Sequence, residues 1–288
     1  MPSHPSQTGL LSFGYVAPNV TASARLAMAT YWIEVGQAAG LELIVIERPS
    51  YEALTRSFLA SEVDFAWLPP IPFVALERRK AAVPLVTHRR DGSSSFQSVL
   101  VAHRGAELKR VADLVGKRAA WIDQYSASGY VLPRIELAKR GIDPKTAFTT
   151  ERFYRSHTAA IRAVLERRAD FAGTWLGRDA KGVIVRAPWT DMVGGEAIRI
   201  IDAFGIIPSD TIAARAALAP SDADKVCRAL IATSKTHPHL VRDLFGVDEF
   251  SPWVSEGYDV LQDSTTRASE DGLLEGIEKG DRSSGRLA

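Results

Sequence analysis

The sequence predicts an α/β fold of two lobes, and three observations support this expectation. Short apolar runs alternate with helical patterns along the first 236 residues. Two polar segments, residues 88–95 and 205–210, interrupt that alternation. The chain of 288 residues also has room for two domains of about 100–150 residues each. We therefore expect a mostly parallel sheet flanked by helices in each lobe, with the ligand cleft between the lobes.

The individual elements follow from the spacing of apolar residues. Strand-like runs cover residues 10–16, 41–47, 63–68, 83–87, 97–103, 118–122, 149–154, 169–173 and 198–204. Helical spacing covers residues 23–39, 51–60, 71–79, 128–140, 157–167 and 221–236. Pro133 lies close to the start of the fourth helix, so we expect that helix to begin late or to bend. Residues 262–288 are rich in polar side chains and are read as a surface segment with a short helix over 272–279.

Each polar interruption marks a crossing between the lobes. The first lobe is expected to contain residues 1–95 and 206–288, with the polar tail from about residue 262. The second lobe is expected to contain residues 96–205.

Composition excludes several classes of protein. Lys and Arg number 35 against 34 Asp and Glu, so the net charge of +1 gives no global attraction for nucleic acid. A single cysteine, Cys227, excludes an intrachain disulfide and a cysteine zinc cluster. The sequence has no phosphate-binding P-loop, zinc-protease motif or nucleophile elbow. We therefore expect no cofactor, no metal and no catalytic residue.

Residues 1–20 lack the basic start and the unbroken apolar core of a signal peptide. No stretch reaches the roughly 18 apolar residues that span a bilayer, so no membrane insertion is expected. A cytoplasmic location is expected if this is the whole natural chain. A periplasmic or cell-surface location is expected if an export signal has been removed.

The most informative stretch is residues 98–144. It contains Asp113-Leu114, then Gly116-Lys117-Arg118 before a strand, then the five residues 126–130 (SASGY) at the start of a helix. Further matching segments are VDFAW at 63–67, RSH at 155–157, RADFAG at 168–173 and LFGVD at 244–248. This ordered set resembles the phosphonate-binding proteins of ABC transporters, in the type 2 periplasmic binding protein superfamily, over roughly residues 10–262.

Physical chemistry supports an anion site at residues 126–130. A helix N-terminus has unpaired backbone N–H groups and a partial positive charge. Ser126 and Ser128 add hydroxyl donors, and Gly129 allows an oxyanion to approach the backbone. Tyr130 completes the motif. Taken alone, either serine could simply cap the helix. Ala127 stands where the family has threonine, so one hydroxyl donor is missing.

Other candidate ligand-binding residues follow from their positions after strands. In the second lobe these are His157, Thr174 and Trp175, with a capping or core role as the alternative for His157. Phe96 and Gln97 stand where the family has tyrosine. In the first lobe the candidates are Tyr51, Pro69 and Trp67, for which a core position is the alternative. Asp123 and Asp210 could bind a ligand amine or stabilise their own loops.

The resemblance implies a solute-binding protein for a small oxyanion, such as a phosphonate, phosphite or phosphate ester. It also implies closure by a hinge motion and an ABC permease as the partner. The rival interpretation is a cytoplasmic enzyme or ligand sensor with the same fold, because fold does not settle function.

Overall fold

The computed structural model describes residues 10–16, 21–179, 181–255 and 257–270, and the chain divides into two compact units. The first unit ends at Ser94 and resumes at Ser209, and the second runs from Ser95 to Pro208 and resumes at Gly257. The predicted division differs near the C-terminus, since it assigned everything after residue 206 to the first lobe. Residues 271–288, with the helix predicted over 272–279, lie outside the described residues.

The strands are numbered in chain order. They are β1 (Leu10–Val16), β2 (Glu42–Arg48), β3 (Phe65–Leu68), β4 (Ala82–Arg89), β5 (Ser95–His103), β6 (Arg118–Trp121), β7 (Thr150–Phe153), β8 (Phe171–Arg178), β9 (Ile184–Arg186), β10 (Ile198–Pro208), β11 (Thr211–Arg215) and β12 (Glu249–Pro252). The α-helices are α1 (Ala22–Ala39), α2 (Tyr51–Leu59), α3 (Pro70–Arg78), α4 (Leu132–Lys139), α5 (His157–Leu165), α6 (Pro220–Thr236), α7 (Pro238–Phe245) and α8 (Tyr258–Glu270).

The first unit contains a sheet in the order β12-β4-β11-β3-β1-β2. β1 is parallel to β2 and to β3, whereas β11 is antiparallel to both β3 and β4. α1 and α6 pack together beside this sheet. The fully buried rings of Phe13 and Trp32 stack with centroids 3.8 Å apart and fix α1 to β1.

The second unit contains a sheet in the order β10-β5-β8-β6-β7, and β9 pairs with β8. β6 is parallel to β7 and β8, whereas β5 is antiparallel to β8 and β10. α8 packs against β10, which explains why the chain after Gly257 groups with this unit. The first part of the predicted polar tail, from Gln262 to Glu270, is therefore helical.

The same aspartate contact recurs at the start of a strand in both units. Asp170 accepts one hydrogen bond from the backbone N–H of Arg118 and another from its guanidinium Nη2, each at 2.8 Å. Asp64 accepts from the backbone of Ser12 at 2.9 Å and from Arg215 at 2.8 Å. These contacts join each aspartate to neighbouring strands, so both aspartates have a structural role.

The α/β class is confirmed, but the strand directions are mixed rather than mostly parallel. Several antiparallel pairs involve strands that the sequence analysis missed or shortened. β11 and β12 are short and were missed, and β10 continues through the predicted break to Pro208. The polar segment 88–95 likewise begins inside β4. Among the described residues, no helix is both long and apolar enough to cross a membrane.

Candidate functional site

In the second unit, most of the predicted site residues gather at one edge of the sheet. The loop after β6 leads to Ser126, and the loop after β7 leads to His157. Ala120 pairs with Ala172, so β8 extends past the end of β6 and brings Thr174 and Trp175 to the same edge. This is the carboxyl edge of the parallel strands, where α/β sheets bind ligands.

Residues Ala127–Val131 form a π-helical turn that precedes α4. The backbone N–H of Leu132 donates to the carbonyl of Ala127, five residues earlier. Pro133 has no N–H, so it cannot donate the α-helical hydrogen bond to the carbonyl of Gly129. The regular helix therefore starts only at Leu132. The irregularity expected at Pro133 is thus present.

The turn presents several hydrogen-bond donors. Ser126 Oγ accepts a bond from the N–H of Gly129 at 3.0 Å, which leaves its own hydroxyl proton available to donate. The N–H groups of Ala127 and Ser128 have no acceptor among the described residues. Ser128 is buried, and its hydroxyl also has no hydrogen-bond partner among the described residues. Ser126 is therefore a cap, as the simpler reading held, and at the same time part of a cluster of open donors.

Close packing explains both glycines near the turn. A Cβ on Gly129 would lie 2.1 Å from Cγ1 of Ile122, and one on Gly173 would lie 3.0 Å from the carbonyl oxygen of Gly129. The hydroxyl of Ser98, on β5, donates to the carbonyl of Ser128 at 2.9 Å. Gly173 thus allows the turn to sit directly on β8, and Gly129 allows it to sit against Ile122, a packing reason that the sequence analysis missed for Gly129.

An ion pair between a buried arginine and a partly exposed glutamate supports the turn. Arg134 is 5% exposed and donates to Glu151 at 2.5 Å, and the indole of Trp121 donates to the same carboxylate oxygen at 2.7 Å. The guanidinium lies over the ring of Tyr130 at 4.9 Å. The Tyr130 ring also packs against Trp121 and Phe153, so it supports the turn through the core.

His157 follows the cap Ser156, whose Oγ accepts from the N–H of Ala159. Its Nδ1 lies 3.0 Å from Oγ1 of the fully buried Thr174. The Trp175 ring stands edge-on to the imidazole, with centroids 6.3 Å apart. Desolvation lowers the pKa of His157 to about 4, so the imidazole is neutral at pH 7.

Phe96 and Gln97 reach the same edge because β5 runs antiparallel to β8. The Phe96 ring contacts Trp175 at a centroid distance of 6.4 Å. The side-chain oxygen of Gln97 accepts a hydrogen bond from Arg178 at 3.2 Å. The guanidinium of Arg186 lies 5.2 Å from the centre of the Trp175 ring. This side of the edge is therefore aromatic and cationic.

The two aspartates left open by the sequence both have protein partners. Asp123 Oδ1 accepts from the N–H of Tyr125 at 2.8 Å, and burial raises the pKa of the Asp123 carboxyl. Asp210, in the first unit, accepts from the indole N–H of Trp67 at 2.8 Å, and burial raises its pKa as well. Both thus stabilise local structure.

The first unit gathers its own predicted residues at the carboxyl edge of its sheet. Tyr51 begins α2 just after β2, and Pro69 stands before the first residue of α3, just after β3. Trp67 lies on β3 and packs against His88 and Phe245, with ring centroids 5.5 and 5.0 Å away. The Trp67 ring is therefore packed against the core of the first unit and is partly buried.

His88 was assigned to a polar segment, but it is fully buried on β4. Its ring lies among Trp67, Phe245 and Phe250, and neither nitrogen has a hydrogen-bond partner among the described residues. Burial, with the nearby charge of Arg90 as a smaller cause, holds the pKa of His88 well below its usual value. No sequence signal distinguished this histidine from the arginines that follow it.

No metal site is found among the described residues. The residues that the structure describes contain no group of three or more His, Cys, Asp or Glu side chains placed to hold a metal ion.

A family model for periplasmic substrate-binding proteins of phosphonate ABC transporters matches residues 18–258. The chain belongs to this family. It is a family of substrate-binding proteins and not of enzymes. The matched range includes every candidate site residue named above.

Solved structures with the same fold include proteins from several bacteria. XAC2383 from Xanthomonas citri, bound to ATP, is 16% identical with a TM-score of 0.74, covering 91% of this chain and 99% of that one. PhnD1 from Prochlorococcus marinus, in complex with methylphosphonate, is 16% identical with a TM-score of 0.70, covering 91% and 99%. A binding protein component of an ABC phosphonate transporter from Pseudomonas aeruginosa is 17% identical with a TM-score of 0.69, covering 94% and 97%. The two-lobed periplasmic binding protein fold is thereby established for this chain.

Proposed function

We propose that this protein binds a small phosphorus oxyanion, a phosphonate or a related compound, at residues 126–129 and His157, and releases it unchanged. The observation that carries this proposal is the pair of N–H groups on Ala127 and Ser128, which have no acceptor among the described residues. The hydroxyls of Ser126 and Ser128 belong to the same turn. Together they form a compact set of donors suited to a tetrahedral anion.

The donors in this set are neutral, and the helical turn contributes only a partial positive charge. The neutral imidazole of His157 fits the same pattern, because it can donate one hydrogen bond without bringing a full charge. Recognition would then depend on several well-placed bonds, each worth about 1.5–3 kcal/mol when the acceptor is charged. Ala127 lacks the hydroxyl that the family motif has at this position, so we expect a ligand with a weaker demand for donors there.

Family membership supports the choice of ligand class, and the solved neighbours widen it. PhnD1 was solved with methylphosphonate and XAC2383 with ATP, so both a simple phosphonate and a phosphate ester are reasonable probes. The aromatic and cationic residues beside the turn, Trp175 with Arg186, would suit a ligand that has a group beyond the oxyanion.

The family also supports a partner and a location. We propose that the protein delivers its ligand to an ABC permease and that it works in the periplasm or at the cell surface. Co-purification with a permease from membranes, dependent on ligand, would test the partner. Fractionation of the producing cells would test the location.

The ligand is tested by thermal shift and calorimetry with phosphate, phosphite, methylphosphonate, 2-aminoethylphosphonate, sulfate, methanesulfonate and ATP. A ligand at 100 times its Kd should stabilise the protein by about 2.7 kcal/mol. Mass spectrometry of the recovered ligand distinguishes a binding protein, which returns it intact, from an enzyme.

Ser126→Ala and Ser128→Ala locate the site. We expect each to weaken binding about 10-fold or more, because each removes a donor to a charged group. Thr21→Ala is the matched control, since Thr21 caps α1 through the N–H of Ala24 just as Ser126 caps its turn. It should reduce stability by about 1 kcal/mol and leave affinity unchanged. Binding that survives both serine substitutions would contradict the proposed site.

A further inference from the structure

Thr174 stands apart from the other predicted ligand contacts because it is completely buried. It lies on β8, where its neighbour in register on β5 is Val99. Its side chain is 0% exposed, and Oγ1 is 3.0 Å from Nδ1 of His157. A hydroxyl in this position has no direct access to a ligand, but it contacts the ring of His157, a residue that is only partly buried.

The hydrogen bond between them can run in either direction, and the surroundings decide which. Apart from His157, no described residue accepts a bond from the Thr174 hydroxyl. If Nδ1 carried the proton and donated to Thr174, the threonine hydroxyl would be a buried donor without an acceptor. Leaving a buried donor unpaired is costly. The hydroxyl therefore donates to Nδ1, which must then be the unprotonated nitrogen.

A neutral imidazole carries one proton, so the proton excluded from Nδ1 resides on Nε2. The hydrogen bond of the His157 ring to a described residue is made by Nδ1, and Nε2 has no partner among the described residues. His157 has a largely desolvated environment and a lowered pKa, which keeps the doubly protonated form rare near neutral pH. On this reasoning Nε2–H is a donor without a protein acceptor, on a ring whose other nitrogen is bonded to Thr174.

We propose that Thr174 is a positioning residue for the oxyanion site, donating to Nδ1 of His157 and so holding Nε2–H as the donor to the ligand. This inference rests on the proposed function for its ligand. It removes Thr174 from the set of ligand contacts predicted from the sequence. Trp175, edge-on to the imidazole at 6.3 Å, limits the ring from another side. The site would then obtain a donor from histidine without the charge of an imidazolium.

The first test needs no ligand. Nitrogen-15 NMR of the free protein at pH 7 reports which ring nitrogen carries the proton, because protonated and bare nitrogens resonate far apart. The sequence contains six histidines, and the His157 signals are assigned by their loss in His157→Gln. We expect the Nε2–H tautomer in the wild type and in Thr174→Ser, and a mixture of tautomers in Thr174→Val. A wild-type protein with the proton on Nδ1 would overturn the proposal.

The second test measures methylphosphonate affinity by calorimetry. Thr174→Val should weaken binding roughly five- to tenfold, as expected for a donor that is no longer held in place. Thr174→Ser should stay within about twofold of wild type, since it keeps the hydroxyl. In His157→Gln, whose amide supplies a donor near the Nε2 position, adding Thr174→Val should cause no further loss. An equal loss in both backgrounds would show a merely structural role and overturn the proposal.

The two tests separate the possible failures. If the wild type binds no oxyanion of the panel, the proposed function fails, and the tautomer of the free protein still decides whether Thr174 orients His157. If the wild type binds methylphosphonate and Thr174→Val changes neither tautomer nor affinity, only the positioning role fails. Should Thr174→Val not fold, Thr174→Ser and the wild-type tautomer still decide the outcome.

Discussion

Replacing Gly129 by alanine should distort the turn at residues 127–131, lowering stability and, if the proposed site is correct, ligand affinity. The added Cβ would lie 2.1 Å from Cγ1 of Ile122 and 2.8 Å from Oγ of Ser126. Carbon atoms in contact prefer about 3.5–4.0 Å, so either Ile122 or the turn must move. Ile122 is 4% exposed and packs with the core of the second unit, which limits its freedom to retreat.

The expected loss follows from two opposing effects. Overpacking a core typically costs about 1–3 kcal/mol. Replacing a glycine recovers about 0.5–1 kcal/mol by reducing the freedom of the unfolded chain. We therefore expect Gly129→Ala to destabilise the fold by about 1–2 kcal/mol, a fall of roughly 2–8 °C in Tm. Affinity for methylphosphonate should fall about tenfold or more, since the N–H groups of Ala127 and Ser128 would be displaced.

Calorimetric melting and titration measure the two effects, and the chain offers a matched control. Gly177, on β8, has its nearest contact at an ordinary 3.6 Å, so Gly177→Ala should leave stability within about 0.5 kcal/mol of wild type. In the background of Gly129→Ala, the substitution Ile122→Ala removes the clashing atom and should cost less than it does alone. Wild-type Tm and affinity in Gly129→Ala would refute the packing argument.

Two further predictions concern charge. The pKa of His157 falls from 6.5 in the unfolded chain to about 4 in the folded protein, so its contribution to stability is complete above pH 6.5 and is lost as the pH drops toward 4. Urea melts of His157→Gln should therefore lose less unfolding free energy than wild type between pH 6.5 and 4, by up to about 3 kcal/mol. Equal losses in the two proteins would contradict the assignment. Glu151→Gln leaves the buried Arg134 without a counter-charge and should destabilise the fold by about 2 kcal/mol, because only the Glu151 side of the pair, at 30% exposure, is open to solvent. Glu166→Gln, whose ion pair with Arg168 is 50% exposed on both sides, should cost no more than about 1 kcal/mol. Similar losses in the two variants would show that burial does not decide the strength of these pairs.

The sequence was most informative where pattern and local chemistry agree. Apolar periodicity placed most strands and helices within a few residues, and the SASGY segment marked the turn because serine is a preferred residue at the start of a helix. Short strands such as β9 and β12 were missed because 3 or 4 residues show no clear periodicity. The buried position of His88 and the contact from Ser98 to Ser128 depend on long-range pairing, which a local pattern does not contain.

The same distinction bears on how the site would obtain its selectivity. A neutral donor forms a weaker hydrogen bond to an anion than an arginine does, so affinity depends more strongly on how accurately the donors are placed. That placement comes from groups that are not themselves open donors: Gly173 lets the turn lie on β8, Gly129 lets it lie against Ile122, and Thr174 contacts the ring of His157. Substitutions at these supporting positions should therefore change affinity as much as the loss of a direct contact does. Selectivity in this site is then a property of the packing between the turn and the sheet, and not of the SASGY motif alone.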